Sequence, residues 1–267
     1  MRWIILLASF FNICQALPMQ NHQVDPQALR SLTETLGIPK EANLVEQTQK
    51  RWLRKPSEER WELKELSEEQ KNYVLSWARQ NHFFEPWKPS ARAYDQALIL
   101  GSTTSSMQAR LDYLTSLWEE GVRFEVVFWL TGERPLDATI DQLLDQCKTE
   151  SDAARLLWEK SSLSKKIEAV FISVPMQMVN GVLKRPVTHD TLIAYLPKSS
   201  NPTSVVVVSE QPFCLYQYAI VKAAFPKNIP FDVVGPGIKN REPKASVILD
   251  TIARYIYVEN ISSHMLP

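Results

Sequence analysis

The chain has no surplus of charge: thirty Lys and Arg stand against thirty Asp and Glu in 267 residues, a formal net charge of +0. Nothing in that balance suggests a field that would gather nucleic acid or an anionic membrane surface, so no nucleic-acid partner is expected. A long hydrophobic run is also missing. The N-terminal apolar stretch, residues 3–13, falls well short of the about 20 residues that a bilayer-crossing helix needs. No stable transmembrane anchor is therefore expected, and an inner-membrane anchor is the minority alternative. There are only four histidines, and His22, His82 and His264 lie away from every expected strand end, so no metal site is expected. Neither standard nucleotide fingerprint occurs: no Walker lysine follows Gly101, and the turn there is not GxGxxG. Internal repeats and low-complexity segments are absent too.

What is there begins with an export signal. Arg2 precedes the apolar run, and Cys14-Gln15-Ala16 then places small residues where a signal peptidase reads them. Residues 1–16 are expected to be a signal peptide cleaved before Leu17, which makes the mature chain periplasmic or secreted. A lipoprotein is the weaker alternative, because Ile13 sits where a lipobox has a small residue. Removal of Cys14 leaves Cys147 and Cys214. An oxidising compartment allows one disulfide between them, but two cysteines this far apart in a chain of this size are more often independent buried residues.

Residues 17–95 and 96–267 differ in grammar. The first part is rich in Glu, Lys, Arg and Gln, carries Trp52, Trp61, Trp77 and Trp87, and spaces Leu63, Leu66, Tyr73, Val74 and Trp77 helically. Ser67 with Gln70 reads as a capping box at a helix start. Pro86 and Pro89 close this helical N-terminal region. From residue 96, apolar strands are expected at 97–100, 124–130, 169–174, 205–208 and 231–234. They alternate with helices at 107–120, 150–159, 190–196, 213–224 and 245–257. Strands apolar at nearly every position are buried on both faces, as in parallel sheets. The expected fold is α/β: a three-layer, Rossmann-like parallel sheet of about five strands with helices on both faces.

Ligands of such sheets bind beyond the carboxyl ends of the strands, so those turns hold the candidates. Gly101, Ser102 and Thr103 follow the first strand. Gly132 ends the second, and Ser209 and Gln211 follow the fourth. Arg110 lies one to two turns inside the next helix, where a bidentate guanidinium is placed to reach a carboxylate or phosphate. Glu150 opens a helix, and Asp190 and Thr191 lie in a polar cluster beside His189. Simpler roles exist for each. Ser, Thr and Asp at these positions are ordinary N-caps, Glu150 suits a helix dipole, and Arg110 suits a solvated face. His189 as a general base and Cys214 as a helix-start nucleophile are minor readings beside surface and core roles.

The order of these pieces over about residues 95–240 resembles the YdcF/SanA/ElyC-like family of bacterial envelope-associated, Rossmann-like domains. The resemblance rests on Leu100-Gly101, Arg110, Thr131-Gly132, Glu150 in Thr149-Glu150-Ser151-Asp152, Asp190-Thr191 and Val208-Ser209. It implies a rim pocket for a nucleotide-like or phosphorylated small ligand, with S-adenosylmethionine or a nucleotide as cofactor class, and an envelope component as target. The chain departs from the family where Gln211-Pro212-Phe213 stands in place of a histidine and arginine, and where the asparagine of an Asn-Thr motif is not kept. Two functions therefore remain: a ligand-binding domain, hydrolase or transferase using the rim, and a non-catalytic protein whose Trp-rich N-terminal region binds a protein partner.

Overall fold

A computed structural model describes residues 23–264 apart from 56–57, 144, 180 and 240–241. The expected signal peptide lies outside the described residues. Five strands, β1 (Ala93–Leu100), β2 (Arg123–Gly132), β3 (Glu168–Val174), β6 (Val205–Val208) and β7 (Phe231–Val234), form one sheet in the order β3-β2-β1-β6-β7. All four pairings are parallel. The order runs outward from β1 in one direction through β2 and β3, then resumes on the other side of β1 at β6. The topological switch point therefore lies between β1 and β6, as in Rossmann-like folds.

Alternation along each strand divides the core in two, because successive side chains point to opposite faces. Ala97, Ile99, Val127, Trp129, Val206 and Val208 face α4 (Thr104–Glu119) and α5 (Glu150–Lys160). Leu98, Leu100, Phe128, Leu130, Val205 and Val207 face α6 (Thr188–Tyr195), α7 (Cys214–Ala224) and α8 (Ala245–His264). This is the expected three-layer arrangement. β6 and β7 keep their expected bounds. β1 and β2 extend beyond theirs, since the polar residues Asp95 and Gln96 still find partners: Gln96 is buried between Tyr195 Oη and Ser199 O.

The N-terminal region contributes α1 (Pro26–Thr35), α2 (Leu44–Arg51) and α3 (Glu68–Gln80). Asp25, Asn43 and Ser67 cap them with side-chain oxygens. Leu63 and Leu66, read above as part of the helical stripe, precede α3, which starts only after Ser67. The helices α2 and α3 pack on α8, so Leu32, Trp52, Val74 and Trp77 join the same core as the sheet's α6–α8 face. Two of the four N-terminal tryptophans, Trp52 and Trp77, are buried there. Among the described residues no helix is long and apolar enough to cross a membrane.

One element lacks a counterpart in the expected pattern: a hairpin of β4 (Gln177–Val179) and β5 (Val182–Lys184), inserted between β3 and α6. Its exposed Met178, Val182 and Leu183 join no core, so its three-residue strands carried no burial signal. It delivers Arg185 and Pro186 back to the rim of the sheet. Cys147 and Cys214 are both free and buried, and they lie in the cores on opposite faces of the sheet. That separation rules out the disulfide considered above.

Candidate functional site

A cavity of about 430 Å³ opens at the carboxyl ends of β1 and β2, beside the switch point. Its floor is the pair of strand ends. Gly101 and Gly132 are needed there for close approach. A Cβ on Gly101 would strike the Glu150 carboxylate and lie 2.8 Å from Leu130 O, and one on Gly132 would lie 2.6 Å from Pro186 Cγ. Glycine at both positions thus lets α5 and the arm after the hairpin close over the strand ends.

Charges hold the floor together. Arg110, 2% exposed, donates to Leu100 O at 2.6 Å, to Gly101 O at 2.9 Å and to Glu210 at 3.2 Å. It therefore ties down the end of β1, and only its Nε remains without a partner. Arg134 forks onto Asp141 at 2.7 and 3.3 Å, and reaches Glu150 at 3.2 Å and Ser102 O at 3.3 Å. Burial alone would lower the Arg134 pKa, but the hydrogen bond to Asp141 and the neighbouring Glu150 charge raise it. Asp141 is held below the usual carboxylate range. Its burial opposes this, but the bonds from Arg134 and from the Asp137 and Thr104 amides prevail. Glu150 accepts from Gly132 N and Arg134. Burial nevertheless pushes its pKa up, against the pull of Arg134.

The Thr104 amide donates to Asp141 Oδ1 at 3.0 Å. A carboxylate of the chain itself thus sits at the N-terminus of α4, where a bound anion was expected from the Gly-Ser-Thr turn. Such a position favours negative charge whatever its source. The polar turn after β1 consequently presents the pocket with hydroxyls, while its opening helix turn is already supplied with an anion.

Facing this floor is a roof drawn from three places in the chain: Arg54, Arg60 and Trp61 from the N-terminal region, Arg185 from the arm after the hairpin, and Lys244 and Arg254 from the last loop and α8. Asp250, fully buried, organises it. Arg254 forks onto this carboxylate at 3.0 and 3.2 Å, and the Arg54 amide donates to it at 3.1 Å. Arg60 Nε lies 3.6 Å away, beyond hydrogen-bond range, and its guanidinium covers the Phe213 ring at 4.3 Å. Glu59 is shared by Arg54 at 2.7 Å and Arg185 at 3.0 Å. Lys244 donates to the Trp61 and Leu63 carbonyls, both at 2.8 Å.

The two sides differ in sign. Around the roof, five cations meet two carboxylates, Glu59 and Asp250, while Glu242 pairs with Arg79. On the floor, two arginines meet three carboxylates, Asp141, Glu150 and Glu210. The crowding of cations is felt in the roof itself. Arg60 is pulled down to about 10, chiefly by burial and further by Arg254 and Arg54, with Asp250 opposing. Arg185 is lowered chiefly by burial, with Arg54 and Arg134 adding to the effect and Glu59 and Glu150 opposing it. The Nε atoms of Arg54, Arg60 and Arg110 are buried without hydrogen-bond partners.

Of the ten expected site residues, Gly101, Ser102, Thr103, Arg110, Gly132, Glu150 and Thr191 line this cavity. Asp190, Ser209 and Gln211 do not. Asp190 accepts from the Val187 amide at 2.8 Å at the start of α6. Ser209 is fully buried below the rim, and Gln211 donates to the His82 and Glu85 carbonyls at 3.0 and 2.9 Å. His189 is exposed and does not line the cavity. The Cys214 thiol is raised well above its ordinary pKa by complete burial, which makes it a core residue and a poor nucleophile.

Residue-by-residue reading missed the roof. Its arginines are far apart in sequence, and only packing against α8 brings Arg54 and Arg60 beside Arg254. One local signal was present: Arg185 precedes a proline, which keeps its backbone extended and out of a helix. Comparisons with protein-family models, with curated proteins and with solved structures find no match for the chain.

Proposed function

We propose that this chain is an exported Rossmann-like protein related to the YdcF/SanA/ElyC-like family, and that it binds a phosphorylated or nucleotide-like small ligand at the carboxyl rim. The observation that carries the reading is the roof, where five cations with two carboxylates hang over a cavity at the topological switch point. Anions are attracted there, and guanidinium forks suit phosphate geometry. The cavity's size also fits the usual range for small ligands. S-Adenosylmethionine fits less well, because its sulfonium would meet that same excess of positive charge. The link to an envelope component rests on the resemblance, and periplasmic or secreted placement rests on the N-terminal signal.

The competing reading, a partner-binding protein using its N-terminal tryptophans, loses ground because Trp52 and Trp77 are buried against α8. A thermal-shift panel of nucleotides, sugar phosphates and S-adenosylmethionine decides between them. A phosphorylated compound at a hundred times its dissociation constant should stabilise the protein by about 2.7 kcal/mol. No shift with any phosphorylated compound contradicts the proposal.

A further inference from the structure

The division of charge across the cavity narrows the ligand class, an inference that rests on the anion-binding reading above. A phosphate oxygen is an acceptor only, and so is an ionised carboxylate. A phosphate set on the floor would face the Glu150 carboxylate, which lines the cavity. Two like charges in contact there repel one another. The same phosphate at the roof meets Arg54, Arg60 and Arg185, two of which still have a buried Nε without a partner. The floor wants something different. Glu150 accepts one bond on each carboxylate oxygen and keeps acceptor capacity, and Ser102 and Thr103 line the cavity beside it with hydroxyls. Groups that donate hydrogen bonds satisfy it. Trp61 and Phe213 also line the cavity, Trp61 with the roof cations and Phe213 with one face under the Arg60 guanidinium, and they add flat apolar surface suited to the C–H faces of a ring.

We propose that the cavity takes a phosphorylated polyol of the sugar-phosphate class, with its phosphate at Arg54, Arg60 and Arg185 and its hydroxyls donating to Glu150, Ser102 and Thr103. This orientation is the reverse of the usual one in Rossmann-like sheets, where the phosphate rests on the first strand's turn and helix N-terminus. Asp141 explains the reversal, since it already occupies that helix end.

Isothermal titration of the mature chain with inorganic phosphate, glucose 6-phosphate, free glucose and AMP tests this. Glucose 6-phosphate should bind at least roughly tenfold more tightly than inorganic phosphate, a difference of about 1.4 kcal/mol. Arg60→Gln should weaken both by roughly tenfold, and Arg60→Lys should recover part of the loss. Glu150→Gln should split them, weakening glucose 6-phosphate and tightening inorganic phosphate because a negative charge leaves the floor. Melting temperatures of the variants verify that they fold, and Arg185→Gln serves as the second roof variant. If the sugar adds nothing to phosphate affinity, or AMP outcompetes the sugar phosphate, the polyol assignment is overturned and the anion site stands. If inorganic phosphate and both phosphorylated compounds all fail to bind, the anion site falls with it.

Discussion

Glycine 101 and Glu150 are the residues on which the floor depends, and each makes its own prediction. Gly101 leaves no space for a methyl group between Leu130 O and the Glu150 carboxylate. Gly101→Ala should therefore destabilise the fold by about 1–3 kcal/mol, the range for overpacking a close contact, as read by chemical denaturation. Glu150 has a raised pKa, so its proton is bound more tightly in the folded state than in the unfolded one. As pH falls from neutrality through that raised value, wild type gains stability relative to Glu150→Gln, which cannot titrate. The stability difference between variant and wild type should thus move in wild type's favour between neutral pH and about pH 4. A difference that stays constant over that window contradicts the burial argument. Residue-level legibility follows from the same chemistry. Gly101, Gly132, Arg110 and Glu150 were visible because they follow strand ends or open helices, where spacing alone locates the rim. Their partners Asp141 and Glu210 were not visible, since nothing local marks a carboxylate that meets an arginine across a loop.

Among the elements, the stretch from the end of α2 to Leu63 has the largest consequence. Gln49 at the end of α2 donates to Ala253 O, the Arg54 amide donates to Asp250 in α8, and Lys244, just before α8, donates to the carbonyls of Trp61 and Leu63. Asp250 is the centre of this clasp, and Asp250→Asn leaves Arg254 and Arg60 without their carboxylate. Removing one member of a buried pair costs about 3–5 kcal/mol, and the partial exposure of both arginines places this case near the lower end. Hydrogen exchange should rise in residues 58–63 more than in β1. Unchanged protection there would show that the clasp does not hold the segment. The Asp250 pKa is lowered: burial opposes this, but Arg254 and Arg60 prevail. Its contribution is therefore present at neutral pH and lost as pH falls below about 4. The strands and the helices that cover them were legible from period and burial. The clasp was not, because its residues read as an ordinary solvated charge run until α8 is folded beside them. The hairpin was missed for the opposite reason, its apolar side chains being exposed.

For the whole molecule, the two faces of the sheet are separate compartments. The expected alternation of strands and helices is realised as two cores, with Cys147 in one and Cys214 in the other. Mass mapping after alkylation should find both thiols free. The Cys214 thiol should react only in denaturant, since it is fully buried and its pKa is raised. A peptide linking Cys147 to Cys214 would contradict the layer assignment. At this scale the chain also joins its parts: the N-terminal region supplies Arg54, Arg60 and Trp61 to the roof, while the Rossmann-like domain supplies the floor and the remaining roof cations, so the pocket belongs to neither part alone. The central claim is that negative charge is received at the roof. The most direct measurement is the position of an electron-rich oxyanion, such as tungstate, located by anomalous scattering in crystals of the protein. The account predicts a peak within hydrogen-bond reach of Arg54, Arg60 or Arg185. A peak at the turn of Ser102 and Thr103 instead, or a cavity that takes up no oxyanion, would contradict it.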